Sequence, residues 1–266
     1  MRFSFLTVIL PIIFFFSCEE ITEFNPLDPE NNPEYVVPDT YIAMDELAGS
    51  VLDTSTVMIT WSGNDLTVEY AYKLNESSWS DWTADTSDTI NYLDDGDYNF
   101  SVKGRYDSGD EDTTPATVNF SVDMVQGPAL RVYTLLTEMS LDSTADVYIY
   151  AEDVEDMVIT MFQVQYDANI LSLNSEAVSK GELLAGIEEM VFIVEEISTG
   201  LLEVNVGIPS HSGVTGTGSL VKLPFTSKSA GSSAIEIENA EFGKPGNISG
   251  APESFTDIAN GLVVVE

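Results

Sequence analysis

Few residues of this chain could carry covalent or metal chemistry. Its 266 residues include one histidine, His211, and one cysteine, Cys18. A Ser–His–Asp relay would have to run through His211, but no strained strand-to-helix elbow offers it a nucleophile. The histidine lies in a polar Gly/Ser/Thr stretch between Ile208 and Gly218, which reads as a surface loop. One His and one Cys also fall short of a zinc site. Carboxylates are abundant: 45 Asp and Glu stand against 9 Lys and Arg, a net charge of −36. Paired acids of the glycosidase kind therefore stay open on composition alone. Calcium is the sharper question, because Asp107, Asp110 and Asp112 cluster in one turn and Asp94, Asp95 and Asp97 in another. Calcium takes 6–8 oxygens, and neither cluster follows the twelve-residue loop with its closing glutamate. Asp and Gly also build ordinary hairpin loops, which is the plainer reading of both clusters. The chain is expected to be no enzyme, with no cofactor and Ca2+ as the alternative at Asp107–Asp112. So acidic a chain is not expected to bind nucleic acid, since phosphate recognition needs clustered cations.

Cys18 has a different context. Arg2 precedes an apolar run over residues 3–16, which is too short for a comfortable membrane span but suits a signal-peptide core. Phe15-Phe16-Ser17-Cys18 follows and resembles a bacterial lipobox. In a secreted chain a lone cysteine has no disulfide partner, and lipidation explains both its presence and its solitude. Residues 1–17 are thus expected to be a lipoprotein signal peptide and Cys18 the lipid-bearing residue. Glu19-Glu20-Ile21-Thr22-Glu23 resembles the surface-export signal of Bacteroidota-type lipoproteins. Residues 18–40, rich in Pro, Asn and Asp, are expected to form a flexible tether. The expected location is the cell envelope, lipid-anchored to the outer membrane and surface-exposed.

Beyond residue 40 the pattern is one of strands. Val68–Leu74, Tyr98–Lys103 and Val118–Val122 alternate apolar and polar residues, and Gly, Asp, Asn and Ser break the runs. Residues 181–190 are the only stretch that tempts a short helix. A seam at Gln126-Gly127-Pro128 divides the chain into domains at 41–124 and 128–266. The fold class is all-β, two β-sandwiches in series.

The first domain carries Trp61, the Tyr70–Leu74 alternation, Trp79/Trp82, Leu93 ahead of Asp94-Asp95-Gly96-Asp97-Tyr98, Gly109 and Pro115-Ala116. That order resembles a fibronectin-III-like module of the kind beside regulator propellers. Trp79 and Trp82, with Tyr92 and Tyr106, could offer an aromatic platform to sugar rings. Burial of at least one of the two tryptophans in the core is the preferred alternative. The second domain carries Asp146–Tyr150, then Phe162-Gln163-Val164-Gln165-Tyr166-Asp167-Ala168-Asn169-Ile170-Leu171, then Gly216–Phe225, and closes with Asn260–Val265. These resemble, in order, the signatures of the cohesin family, jelly-roll sandwiches that hold the dockerin modules of polysaccharide-degrading enzymes.

Strand alternation puts Phe162, Val164 and Tyr166 on one face, and the resemblance places that face in the core. The opposite face carries Ile159, Met161, Gln163 and Gln165. Cohesins dock partners on this side, often with Asp or Asn where Ile159 and Met161 stand. These four residues are the candidate partner-binding set. The expected function is a non-catalytic, surface-anchored scaffolding lipoprotein that captures a dockerin-like partner in extracellular polysaccharide degradation. The alternative is a carbohydrate-binding surface lipoprotein of a glycan-uptake system.

Overall fold

The computed structural model describes residues 25–209, 213–246 and 252–266. Cys18 and His211 lie outside the described residues. Among the described residues every regular element longer than three residues is a strand. The stretch at 181–190 makes only the 3-10 turn Glu182–Leu184. Gly186, at φ 78°, leaves helical geometry two residues later, while Leu184 is drawn fully into the core.

Seven strands build the first sandwich: β1 (Thr40–Ile42), β2 (Val51–Leu52), β3 (Val57–Gly63), β4 (Thr67–Leu74), β5 (Ser87–Ile90), β6 (Gly96–Tyr106) and β7 (Ala116–Val122). One sheet runs β1-β3-β5 and the other β2-β7-β6-β4. Alternate residues of both point inward: Val57, Ile59 and Trp61 from β3 meet Phe100 and Val102 from β6 and Val118, Phe120 and Val122 from β7. The core tryptophan is Trp61, at 2% exposure. It stacks on Phe100 at 5.7 Å between centroids, and its indole N–H donates to the Asp85 carbonyl at 3.0 Å. A buried aromatic of this kind carries a large share of a small core, provided its N–H is satisfied. Trp79 and Trp82 are half-buried on the outer face of the four-stranded sheet. The preferred core placement of one of them is therefore corrected in favour of Trp61. Tyr106 is buried while Tyr92 is 41% exposed, so these four aromatics do not form one platform.

The segment expected as a tether is fastened along this sandwich at its end. The Tyr35 hydroxyl donates to Asp110 Oδ2 at 3.0 Å, the Tyr106 hydroxyl to the Val36 carbonyl at 2.9 Å, and the Asn64 amide to the Val37 carbonyl at 2.8 Å.

The second sandwich begins after Gln126–Pro128. Its strands are β8 (Ala129–Tyr133), β9 (Leu136–Met139), β10 (Thr144–Met157), β11 (Ile159–Gln165), β12 (Leu171–Leu173), β13 (Ser179–Lys180) and β14 (Val191–Ser198). They continue with β15 (Leu201–Gly207), β16 (Val214–Ser227), β17 (Gly231–Gly243), β18 (Glu253–Ser254), β19 (Asp257–Ala259) and β20 (Gly261–Val265). One sheet is ordered β12-β16-β10-β8-β19, with β13 on β16; the other is β14-β15-β11-β17-β20-β9, with β18 on β17. Phe162, Val164 and Tyr166 do face the core, with the Tyr166 ring set edge-on to Phe225 at 5.0 Å. Burying such side chains is worth about 1.5–3 kcal/mol each relative to exposure, which fixes the register of β11. A one-residue slip would turn all three to solvent.

Candidate docking face

The burial that holds β11 in register also decides what it shows outside. Ile159 is 44% exposed and Met161 36%. β15 lies on one side of β11 and β14 beyond it, with β17 on the other side. Reading across the strands, the first row is Val191, Gly207, Ile159 and Gly243, and the second is Ile193, Asn205, Met161 and Glu241. Val191 and Ile193 are themselves 47% and 45% exposed. The two glycines leave hollows beside the aliphatic side chains, and a Cβ on Gly243 would lie 2.8 Å from Ile159 Cγ2. Four aliphatic side chains, two from β14 and two from β11, thus face outward on either side of Gly207 and Asn205 of β15.

Below it the face turns polar. The third row is Glu195, Glu203, Gln163 and Glu238. Gln163 accepts from the Asn239 amide at 2.7 Å and donates to Glu203 at 3.3 Å. Gln165 is engaged differently: its amide donates to the Gly200 carbonyl at 2.9 Å. Gly200, at φ 78°, turns the chain between β14 and β15, and a Cβ there would meet the Tyr166 carbonyl at 2.5 Å. Glycine is required by both the backbone angle and the close approach. The turn is clipped to the end of β11, and this brings Val191 and Ile193 into the patch. The sequence reading missed these two because nothing local says that residues 191–198 will lie two strands from residue 161.

Most carboxylates of the acidic clusters have protein partners, although Asp112 Oδ2 and Asp95 Oδ2 are buried without a hydrogen bond. Asp110 Oδ2 accepts from Tyr35 and, at 2.9 Å, from Ser108, while Asp112 Oδ1 accepts from the Thr114 amide at 2.7 Å. Asp107 is exposed, and among the described residues no group of three acidic, His or Cys side chains is placed to hold a metal ion. Asp97 accepts from Ser121 at 2.6 Å. Asp94 and Asp95 turn instead to the second sandwich. The Arg131 guanidinium, on β8, lies 4.0 Å from Asp94, 3.7 Å from Asp95 and 2.6 Å from Glu152 of β10. Asp94 also accepts from the Leu135 amide at 3.0 Å. Burial pushes the carboxyls of Asp94 and Glu152 up, although Arg131 pulls both down. Burial next to the Asp94 charge likewise pushes the Tyr98 hydroxyl up to about 12. Met124, Val125, Ala129, Leu135 and Ala259 form a small apolar cluster at the same junction.

The two exposed-face tryptophans sit in a ladder of cations. Lys73 and Lys103 lie 5.4 and 5.1 Å from the Trp79 ring, and Lys103 and Arg105 lie 5.1 and 4.4 Å from the Trp82 ring. Lys103 pairs with Glu111 at 2.6 Å and Arg105 with Glu69 at 2.5 Å. The cations of β4 and β6 thus hold both rings against the sheet.

No family model matches the chain, and no curated protein matches it. Among solved structures it is similar to a non-cellulosomal cohesin from Archaeoglobus fulgidus, at 17% identity and TM-score 0.42, covering 52% of this chain and 90% of that one. It is also similar to the sixth cohesin of scaffoldin B from Acetivibrio cellulolyticus, solved with a Cel5 dockerin mutant. Identity there is 20% and the TM-score 0.45, over 53% of this chain and all of that one. A cohesin from a Clostridium thermocellum cohesin–dockerin complex aligns at 13% identity and TM-score 0.44, over 52% of this chain and 92% of that one. The likeness to cohesin modules is one of fold and spans about half of the chain.

Proposed function

We propose that the chain is a non-catalytic scaffolding lipoprotein whose second sandwich captures a protein partner on the outer face of β14-β15-β11-β17. The observation that carries this reading is the set of outward aliphatic side chains Ile159, Met161, Val191 and Ile193, each 36–47% exposed, on β11 and β14 either side of Gly207 and Asn205. Isolated exposed aliphatics need no explanation, but four on one sheet face with an amide and carboxylate rim have the make-up of an interface core and rim. The motif resemblance in 146–265 makes a dockerin-like module the partner class. A lipid on Cys18 would hold the module at the cell envelope, with the first sandwich as spacer. Carbohydrate capture is the weaker reading, because Trp79 and Trp82 are half-buried and are not joined in one platform by the buried Tyr106 and the exposed Tyr92.

The test is calorimetric titration of the protein against purified dockerin modules from the same organism, with Met161→Asp and Ile193→Asp alongside. A charge placed in the centre of the patch should weaken binding about a hundredfold, roughly 2.7 kcal/mol, while the melting temperature stays put. Unaltered binding would move the site elsewhere. A large loss of stability would mean that the patch belongs to the core.

A further inference from the structure

The same sheet ends in an unprotected edge. β14 pairs only with β15, and among the described residues no backbone group of Val191–Ser198 bonds anywhere else. The 3-10 turn Ser175–Ala177 lies beside it without a backbone bond. The other long edge strand, β4, is closed: Ser80 N–H donates to the Tyr72 carbonyl at 2.8 Å, and Tyr70 and Thr83 exchange bonds of 2.7 and 2.9 Å. The remaining edges, β1, β2, β5, β9, β12, β13, β18 and β19, are two to four residues long. β14 has eight residues, VFIVEEIS, with no Pro and no Lys; its register slips only at Glu196–Ser198, past the apolar part, on which no described residue makes a further backbone bond. Natural sheets usually shorten, bulge or charge such an edge, because its free N–H and C=O groups are a template for another strand.

The charges around β14 say what kind of strand fits. Glu188-Glu189 precedes the apolar run 190–194 and Glu195-Glu196 follows it, and all four glutamates are exposed. A second copy paired antiparallel over β14, centred on Phe192, would bring Glu188-Glu189, just ahead of the strand, toward Glu195-Glu196 of its partner. Like charges directly opposite destabilise a strand pair. A strand with basic residues at both ends would meet opposite charges at the same places.

We propose that β14 accepts an extended segment of a partner protein, apolar over about five residues and basic at both ends, which adds to the sheet as a further strand. Backbone hydrogen bonds would supply affinity and the glutamate pairs specificity, as in other strand-addition interfaces. The inference rests on the backbone edge, not on the aliphatic face, so either can fail alone. The probe is a synthetic peptide, KKVTVTVKK, compared with EEVTVTVEE on the full chain. Binding is read by fluorescence anisotropy, and the amides of 191–198 by hydrogen exchange. The expected result is at least tenfold tighter binding of the lysine peptide, with new protection confined to β14. Replacing Glu188, Glu189, Glu195 and Glu196 by Lys should reverse that preference. Met161→Asp, two strands away, should leave peptide binding unaltered even if it abolishes capture on the face. Equal binding of the two peptides, protection elsewhere, or self-association that protects β14 without peptide would each overturn the proposal.

Discussion

Replacing Arg131 by methionine tests how the two sandwiches are joined. The Arg131 side chain is 8% exposed, and its three carboxylate neighbours, Asp94, Asp95 and Glu152, are 19%, 13% and 14% exposed. Methionine keeps the apolar stem beside Tyr133 and Tyr150 but removes the cation. Breaking a buried pair by deleting one partner costs about 3–5 kcal/mol, because the remaining charges stay buried without compensation. At about 2–4 °C per kcal/mol for a domain of this size, the melting temperature should fall by about 6–20 °C. The pH dependence supplies a second readout. Burial raises Asp94 and Glu152 above their ordinary range. A carboxylate raised in the fold contributes stability that is fully present below its ordinary pKa and lost as pH rises through the raised value. The native protein should therefore gain stability as pH falls from neutral toward the ordinary carboxylate range, helped by relief of its overall negative charge. Without Arg131 both carboxyls rise further, so the deficit of Arg131→Met should shrink on acidification. Scanning calorimetry across that range measures both effects. A fall of less than about 2 °C at neutral pH, or a deficit that does not change with pH, would refute the account.

Cys18→Ser should release the protein from the membrane fraction or leave its precursor uncleaved; unchanged fractionation and migration would end the lipoprotein assignment. Gly181→Ala should destabilise the second sandwich by about 1–3 kcal/mol through overpacking, seen as a lower urea midpoint. The reason is that a Cβ there would lie 2.2 Å from the Ser219 backbone oxygen. EDTA should leave the melting temperature unaltered, because among the described residues no three acidic side chains are placed to hold a metal ion; a marked fall would put a cation at Asp107–Asp112.

The parts of the fold that could be read from sequence are those set by short-range alternation. The inward run Phe162, Val164 and Tyr166 and the outward pair Ile159 and Met161 follow from the period of two, and both stand where that period puts them. The parts that escaped depend on pairing between distant segments. Val191 and Ile193 join the patch only because β15 lies between β14 and β11. The Asp94-Asp95 turn looked like a calcium-style loop, yet its carboxylates serve an arginine of the other sandwich. Trp79 and Trp82 looked like core candidates by residue type, while the core position went to Trp61, the residue whose indole N–H finds a carbonyl. Gln165 seemed part of a contact surface, but its amide is committed to the β14–β15 turn.

The two sandwiches treat their outward sheet faces in opposite ways, and that contrast bears on function. On β4 and β6 of the first sandwich, Ala71 and Ser101 point outward yet are only 1% and 4% exposed. The stretch from Trp79 to Thr83 lies along β4 and lays its indoles over this face, held by Lys103 and Arg105. The chain can thus close a sheet face and a sheet edge with a single connecting segment. At β11, β15 and β14 the described residues do neither: the link between β14 and β15 is the two-residue turn Thr199-Gly200, too short to fold over the face. So short a link covers neither the four aliphatic side chains nor the edge of β14. Exposed apolar surface confers no stability on an isolated acidic domain and carries an aggregation hazard. Its retention beside a face that the same chain covers so fully favours a surface kept open for a partner, in line with the capture reading.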